Sequence, residues 1–195
     1  MSDDFPPEEL EDFALMQRVA QGNESAFEIL VERHQLRVIG TIAKMLDDAT
    51  TAEDLAQQVF VRVWQSASRY QPTAKFTTWL MTITRNLVFN ECRRRQRASF
   101  IPLENDDGTE RDFQDSNAPT ASQVFAEKEI QSAVDAAIAS LPEAQRLAIV
   151  LRRYEDMPYE EIAIVLKTTV PAVKSLLFRA REELKTKLQP FLNAN

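Results

Sequence analysis

The chain is poor in the residues that make tight turns and cross-links, with three glycines and one cysteine in 195 residues. So few glycines argue against a turn-rich sheet protein. Ala, Leu, Glu, Gln and Arg recur throughout and favour helix, so an all-α fold is expected. Cys92, being alone, excludes an internal disulfide. No apolar run reaches the roughly 18 residues of a membrane span. The opening MSDDFPPEELED is acidic where a signal peptide is basic and then apolar, so a soluble, cytoplasmic protein without membrane insertion is expected. The single histidine, His34, has no cysteine or carboxylate motif around it, and neither a metal site nor a cofactor is expected. The clustered acids lie in segments without fixed geometry, which argues against carboxylate catalysis and against an enzyme.

Basic residues are the minority, 23 Lys and Arg against 30 Asp and Glu, for a net charge of −7. Their placement matters more than their sum. Residues 1–12 hold six acids and no base, and residues 103–129 hold eight acids against Arg111 and Lys128. Residues 75–97 carry six bases against Glu91, and residues 167–187 carry six against Glu182 and Glu183. Two separated cationic elements point to a polyanion contacted in two places.

With 44% hydrophobic residues the chain should fold, as one domain or two small ones. A weak stripe runs from Glu8 to Gln21 and stops at Gly22. Asn23 caps a second helix whose stripe Phe27, Leu30, Val31, Ile39, Ile42, Leu46 leads to the polar break DDATT. In TTAEDLAQ, Thr51 stands three residues before Asp54, which predicts a third helix from there to Ser66. Leu55, Val59, Phe60, Val63 and Trp64 are its expected core side, with Asp54, Gln57, Gln58 and Arg62 opposite. Pro72 breaks the chain in SASRYQPTA. The helix KFTTWLMTITRNLVFNECRRRQR follows, with Phe76, Leu80, Ile83 and Leu87 on one face and Thr78, Met81, Arg85 and Cys92 on the other.

Residues 98–122 hold Pro102, Gly108 and Pro119 without sustained periodicity and are expected to be a flexible acidic linker of roughly 25 residues. The expected organisation is an acidic arm over 1–12, a helical bundle over 13–97, the linker, and a second helical domain over 123–192. In the last of these, KTT joins the apolar EEIAIVL to a basic helix, which is the layout of a helix-turn-helix. Val173, Leu177, Ala180, Leu184 and Leu188 form the inward stripe. Pro171, Ser175, Phe178 and Arg179 point outward, flanked by Ala172 and Lys174, with Thr169 as N-cap. Arg179 can donate two hydrogen bonds to a guanine edge, Phe178 can meet a thymine methyl, and Lys174 and Ser175 can reach bases or phosphates. The alternative reading is a helical hairpin with a solvated basic face.

On these residues the chain resembles a known family. LPEAQRLAIVLRRYEDMPYEEIAIVLKTTVPAVKSLLFRAREEL is similar to the C-terminal, promoter-reading domain (region 4) of bacterial extracytoplasmic function (ECF) sigma factors of the sigma-70 family. AFEILVERHQLRVIGTIAKML, AEDLAQQVFVRVWQSASRYQP and KFTTWLMTITRNLVFNECRRR resemble the N-terminal sigma domain (region 2) in order and spacing. The resemblance implies an alternative sigma factor that binds core RNA polymerase, through the clamp helices of the largest subunit and the beta flap, and directs initiation at promoter DNA. It assigns Asp54, Gln57, Gln58 and Arg62 to the clamp helices; Gln58 stands where many relatives carry an acid.

The loop after the third helix corresponds to the segment that captures a flipped base of the minus-ten element. The resemblance places Ser68, Arg69, Tyr70 and Lys75 there, with Thr78, Arg85, Asn86 and Arg93 facing the strand or its phosphates. Trp79 has two readings, core packing and a base contact. Thr169, Pro171, Ala172, Lys174, Ser175, Phe178 and Arg179 would read the minus-thirty-five element, and Leu176 stands where relatives often have Arg. Arg93, Arg94, Arg95 and Arg97 would hold upstream phosphates. An anti-sigma factor or other regulator is the implied partner, holding the two domains together and hiding both DNA surfaces. Two readings compete: a helix-turn-helix repressor or activator acting without polymerase, which predicts a dimer on a palindrome, and an interaction protein of two helical bundles.

Overall fold

The computed structural model describes residues 7–99 and 121–192. Of the expected linker over 98–122, residues 100–120 lie outside the described residues, as do residues 1–6 of the expected arm over 1–12; the rest of both belongs to helices. Within them the chain is helical: α1 (Pro7–Val19), α2 (Glu24–Leu46), α3 (Ala49–Ser66), a single 3-10 turn (Ala67–Arg69), α4 (Phe76–Ser99), α5 (Ala121–Ala139), α6 (Glu143–Arg153), α7 (Tyr159–Leu166) and α8 (Val170–Leu192).

Caps explain most of these boundaries. Gly22, at φ 83°, turns the chain out of α1, and Asn23 then accepts the Ala26 N–H at 2.8 Å to start α2. At the next corner the two aspartates divide the work. Asp47 ends α2 in the left-handed region and donates its N–H to the Ala43 carbonyl, while Asp48 caps α3 by accepting the Thr51 N–H at 3.0 Å and its hydroxyl at 2.7 Å. The third helix therefore begins at Ala49, ahead of the expected start. Thr51 lies inside the first turn as a donor and Asp48 is the cap, because the Asp48 carboxylate accepts both the N–H and the hydroxyl of Thr51 and so draws Thr51 into the helix.

Arg95 secures this corner from across the bundle. It donates to Asp48 and Glu91 at 2.9 Å each, to the Thr51 hydroxyl at 3.0 Å and to the Leu46 carbonyl at 3.2 Å. Arg94 closes a fork on Glu91, with both bonds at 2.7 Å. Of the four arginines expected to hold phosphates, Arg95 is thus committed to structure and Arg94 is paired, whereas Arg93 and Arg97 stay on the exposed side. The three-to-four-residue spacing from Glu91 makes both pairings geometrically natural.

In the first bundle α1, α3 and α4 pack on α2. Met16, Leu30, Ile42, Met45, Phe76 and Leu80 are fully buried there. Trp64, expected in the core, is 37% exposed and sits edge-on to Phe27 with centroids 5.1 Å apart. His34 is buried and bonded to the buried Asp12 at 2.8 Å, which also takes Arg33 at 2.7 Å, so this histidine pins α1 to α2.

The second unit packs α6, α7 and α5 around α8, with Leu147, Leu151, Ile162 and Leu177 fully buried. It also seats on the first: α4 packs on α7, and α2 on α6 and α5, so one continuous apolar cluster runs through both. The face of α4 opposite its inward stripe supplies this seat, with Thr78 and Met81 buried and Cys92 half-buried.

The guanidinium of Arg94, then that of Arg95, holds the Glu91 carboxyl down to about 2, and the N–H and hydroxyl of Thr51, then Arg95, hold Asp48 at about 2. Below about pH 4.5 the unfolded chain takes up protons that the folded chain refuses, so stability falls with pH from there toward about 2. Urea titrations across this range are expected to show that loss in the native chain, and Arg95→Met should reduce it only in part, because Arg94 still holds Glu91 and Thr51 still holds Asp48.

Candidate nucleic-acid interface

The turn between α7 and α8 is made by Lys167, which takes φ 55° and lets Thr168 donate back to the Ala163 carbonyl at 2.9 Å. Thr169 then accepts the Ala172 N–H at 3.4 Å. Val173, Leu177 and Ala180 point inward and are buried, which rotates Pro171, Lys174, Ser175, Phe178 and Arg179 into solvent with Ala172 half-buried beside them. Phe178 is 65% exposed, a large apolar ring held in water on a basic face. Ser175 donates to the Pro171 carbonyl at 3.1 Å, leaving its oxygen able to accept. Among the described residues neither Lys174 nor Arg179 forms an ion pair. All seven expected residues thus share the first turns of one helix, in the geometry that enters a major groove.

The second expected surface is less open. Ser68 and Arg69 are exposed on the 3-10 turn. Tyr70 is half-buried, its ring 4.8 Å from Trp79, 6.1 Å from Phe76 and 6.4 Å from Phe13. Trp79 is thereby a packing residue of this aromatic cluster. Lys75 is ion-paired to Glu161 of α7 at 2.7 Å, and Thr78 is fully buried and donates to the same carboxylate at 3.0 Å. Thr78 therefore does not face a strand in this arrangement, because α7 covers its turn of α4.

Arg85, Asn86 and Arg93 line the next turns. The Arg85 guanidinium lies 4.6 Å over the Phe89 ring and donates to Asn86 at 2.9 Å, while its Nε is buried without a partner. Burial, then the nearby Arg93, pushes the Arg85 guanidinium below its ordinary value. Two cations converging without an acid between them make an anion-seeking patch.

Asp54, Gln57, Gln58 and Arg62 are all exposed on one side of α3, and Gln57 borders an open groove between α2 and α3 floored by Phe27, Val31, Ile39, Ala56 and Phe60. Sequence reading passed over Val61, exposed at the edge of this groove, and over Leu36, 78% exposed on the far face of α2. Leu36 lies outside the helical stripe of α2, and that mismatch was the available signal. It also missed Glu161, which carries no motif.

The sigma-70 region 2 family matches residues 30–98, and the sigma-70 region 4 family matches residues 131–184. The chain is 33% identical to the RNA polymerase sigma-H factor of Pseudomonas aeruginosa over 93% of its own length and 96% of that protein. It is 31% identical to the ECF RNA polymerase sigma-E factor of Haemophilus influenzae, over 95% of this chain and 99% of the other. The chain belongs to the ECF sigma factors of the sigma-70 family. It is an alternative sigma factor that directs transcription, and the reading as a regulator acting without polymerase is not favoured because region 2 matches as well as the helix-turn-helix.

Among solved structures, CnrH in complex with the cytosolic domain of CnrY is 25% identical and superposes with a TM-score of 0.67, covering 92% of this chain and 98% of that one. The sigma factor RpoE of Bartonella quintana, solved with the anti-sigma factor NepR, shares the fold at 21% identity and a TM-score of 0.65, over 84% of this chain and 96% of that one. Among the described residues of this ECF sigma factor, no helix is long and apolar enough to cross a membrane.

The two faces of α8 differ in what they contribute to the sigma factor. Leu177→Ala should cost about 2–5 kcal/mol by urea denaturation because its side chain is fully buried. Phe178→Ala next to it should change stability by less than about 0.5 kcal/mol while weakening upstream promoter binding.

Proposed function

We propose that this sigma factor joins core RNA polymerase through Asp54, Gln57, Gln58 and Arg62 of α3, docking on the clamp helices of the largest subunit, with the second domain on the beta flap. The exposure of all four on one face, beside an apolar groove, supports this. Gln57 and Gln58 can donate and accept, and the apolar groove floor with the exposed Val61 supplies area that polar contacts alone would lack.

The minus-thirty-five element is read by α8. Arg179 and Lys174 supply donors for guanine edges or phosphates, Phe178 supplies apolar contact for a thymine methyl, and Thr169, Pro171, Ala172 and Ser175 set the approach of the helix N-terminus. The observation that carries the reading is this outward face, whole and uncovered, on a helix whose inward stripe is fully packed. The minus-ten element is held by Ser68, Arg69 and Tyr70 at the loop and by Arg85, Asn86 and Arg93 along α4. Lys75 and Thr78 join them once α7 has left. No covalent chemistry is involved.

The expected domain limits, 13–97 and 123–192, remain part of this proposal, as does action in the cytoplasm, where the polymerase works. An anti-sigma factor or comparable regulator is the proposed protein partner; the likeness to CnrH bound to the cytosolic domain of CnrY supports a similar arrangement here.

The test is in vitro transcription with purified core polymerase over a promoter library, with and without this protein. Specific initiation is expected only with it, and its absence would overturn the reading. Arg179→Ala is expected to cost about 1–3 kcal/mol at one upstream base pair and to relax selection there. Equal loss at every sequence would instead mark a phosphate contact.

A further inference from the structure

We propose that the free chain inhibits itself: Glu161 of the second domain occupies the lysine and hydroxyl that the minus-ten surface would offer to DNA, so the closed form needs no partner protein. This rests on the assignment of Lys75 and Thr78 under the proposed function.

Glu161 spends both carboxylate oxygens on the first domain, one on the Lys75 ammonium at 2.7 Å and the other on the Thr78 hydroxyl at 3.0 Å. Two anionic oxygens bridging a cation and a hydroxyl are also what a phosphate would present to the same pair. Thr78 is fully buried in this arrangement, so no strand can share it with Glu161.

A second clasp repeats the pattern. Thr41, also buried, donates to Glu155 at 3.2 Å, and Arg37 pairs with that carboxylate at 2.8 Å. Among the described residues, two hydroxyls buried on the first domain thus find their acceptors on the second, and a buried hydroxyl left without an acceptor is unfavourable. The polarity is consistent elsewhere. Lys44 meets Asp135 at 3.5 Å and lies 4.1 Å over the Tyr154 ring, and Gln96 donates to Glu143 at 3.0 Å. Acids come from the second domain, and bases and donors from the first. One contact runs the other way: Arg146 donates to the Met45 carbonyl at 2.6 Å.

The closure is one-sided. The outward face of α8 stays exposed while α7 sits on α4, so the upstream-reading surface remains available, and of the downstream one the Lys75 and Thr78 part is covered while Ser68, Arg69 and Arg93 stay exposed. The clasping pairs are few and only half-buried, so the closed form is a bias that polymerase binding can reverse. If the open form is about a tenth of the population, apparent affinity for a single strand is reduced about tenfold.

The experiment uses the full chain without polymerase. Small-angle X-ray scattering reports whether the domains are together, and anisotropy reports binding of a labelled single-stranded DNA pool of randomised sequence. Glu161→Ala and Glu161→Gln are compared with the native chain, and far-UV circular dichroism confirms that helix content is kept. Glu161→Gln preserves shape and removes only the charge, so it still reads the lock should the alanine variant fold poorly. Both variants are expected to enlarge the radius of gyration and to raise single-strand affinity about tenfold, with binding of upstream duplex unchanged. Native scattering that already fits separated domains overturns the proposal, and so does an unchanged affinity in both variants. Transcription separates the two failures. If the native chain with core polymerase initiates nowhere, the sigma assignment fails; if it initiates and the Glu161 variants bind single strands no better, only self-inhibition fails.

Discussion

Helix α4 has to pack against two bodies at once, and most of the molecule follows from how it does so. Its inward stripe of Phe76, Leu80 and Leu87 closes the first bundle, and the turn carrying Thr78 and Met81 lies under α7. An entirely apolar second face would bind the domains too permanently for a protein whose surfaces must meet DNA. Threonine is a compromise: its methyl packs, and its hydroxyl is buried only while an acceptor such as Glu161 is in place. The same helix holds Thr82 and Thr84, whose hydroxyls are satisfied by the Thr78 and Leu80 carbonyls one turn back, so these need nothing from the second domain.

Charge is divided to match. A chain of net charge −7 approaches a polyanion only if its acids are kept away from the contact. Several of them are turned inward, Glu155 and Glu161 onto the first domain and Glu91 onto Arg94 and Arg95. Burial pushes the Glu155 carboxyl upward, and Arg37 opposes it. On the first turns of α8 what remains outward is Pro171, Lys174, Ser175, Arg179 and an exposed phenylalanine, and its exposed acid, Glu182, lies farther along the helix.

The outward face of α8 was legible in the sequence because a single period decides it. Once Val173, Leu177 and Ala180 go inward, Phe178 and Arg179 must go out. The exposed side of α3 was legible for the same reason. The third helix's start was not, because two capping signals three residues apart compete and only backbone geometry chooses Asp48. The arginine run at the end of α4 was misjudged in part: spacing from Glu91 was visible, but the reach of Arg95 to Asp48 and the Leu46 carbonyl joins residues more than 40 positions apart.

By itself the sequence determined the helices and the helix-turn-helix, because caps and apolar periodicity are local and act within a few turns, while the order of two sigma-type units came from its resemblance to the family. Only the tertiary structure decided which side of α4 is open. A face of Thr78, Met81, Arg85 and Cys92 is ambivalent by composition, equally suited to a strand of DNA or to a neighbouring helix. The choice depends on Glu161, 83 residues away from Thr78, and on an acid without a motif that no local rule could connect to it.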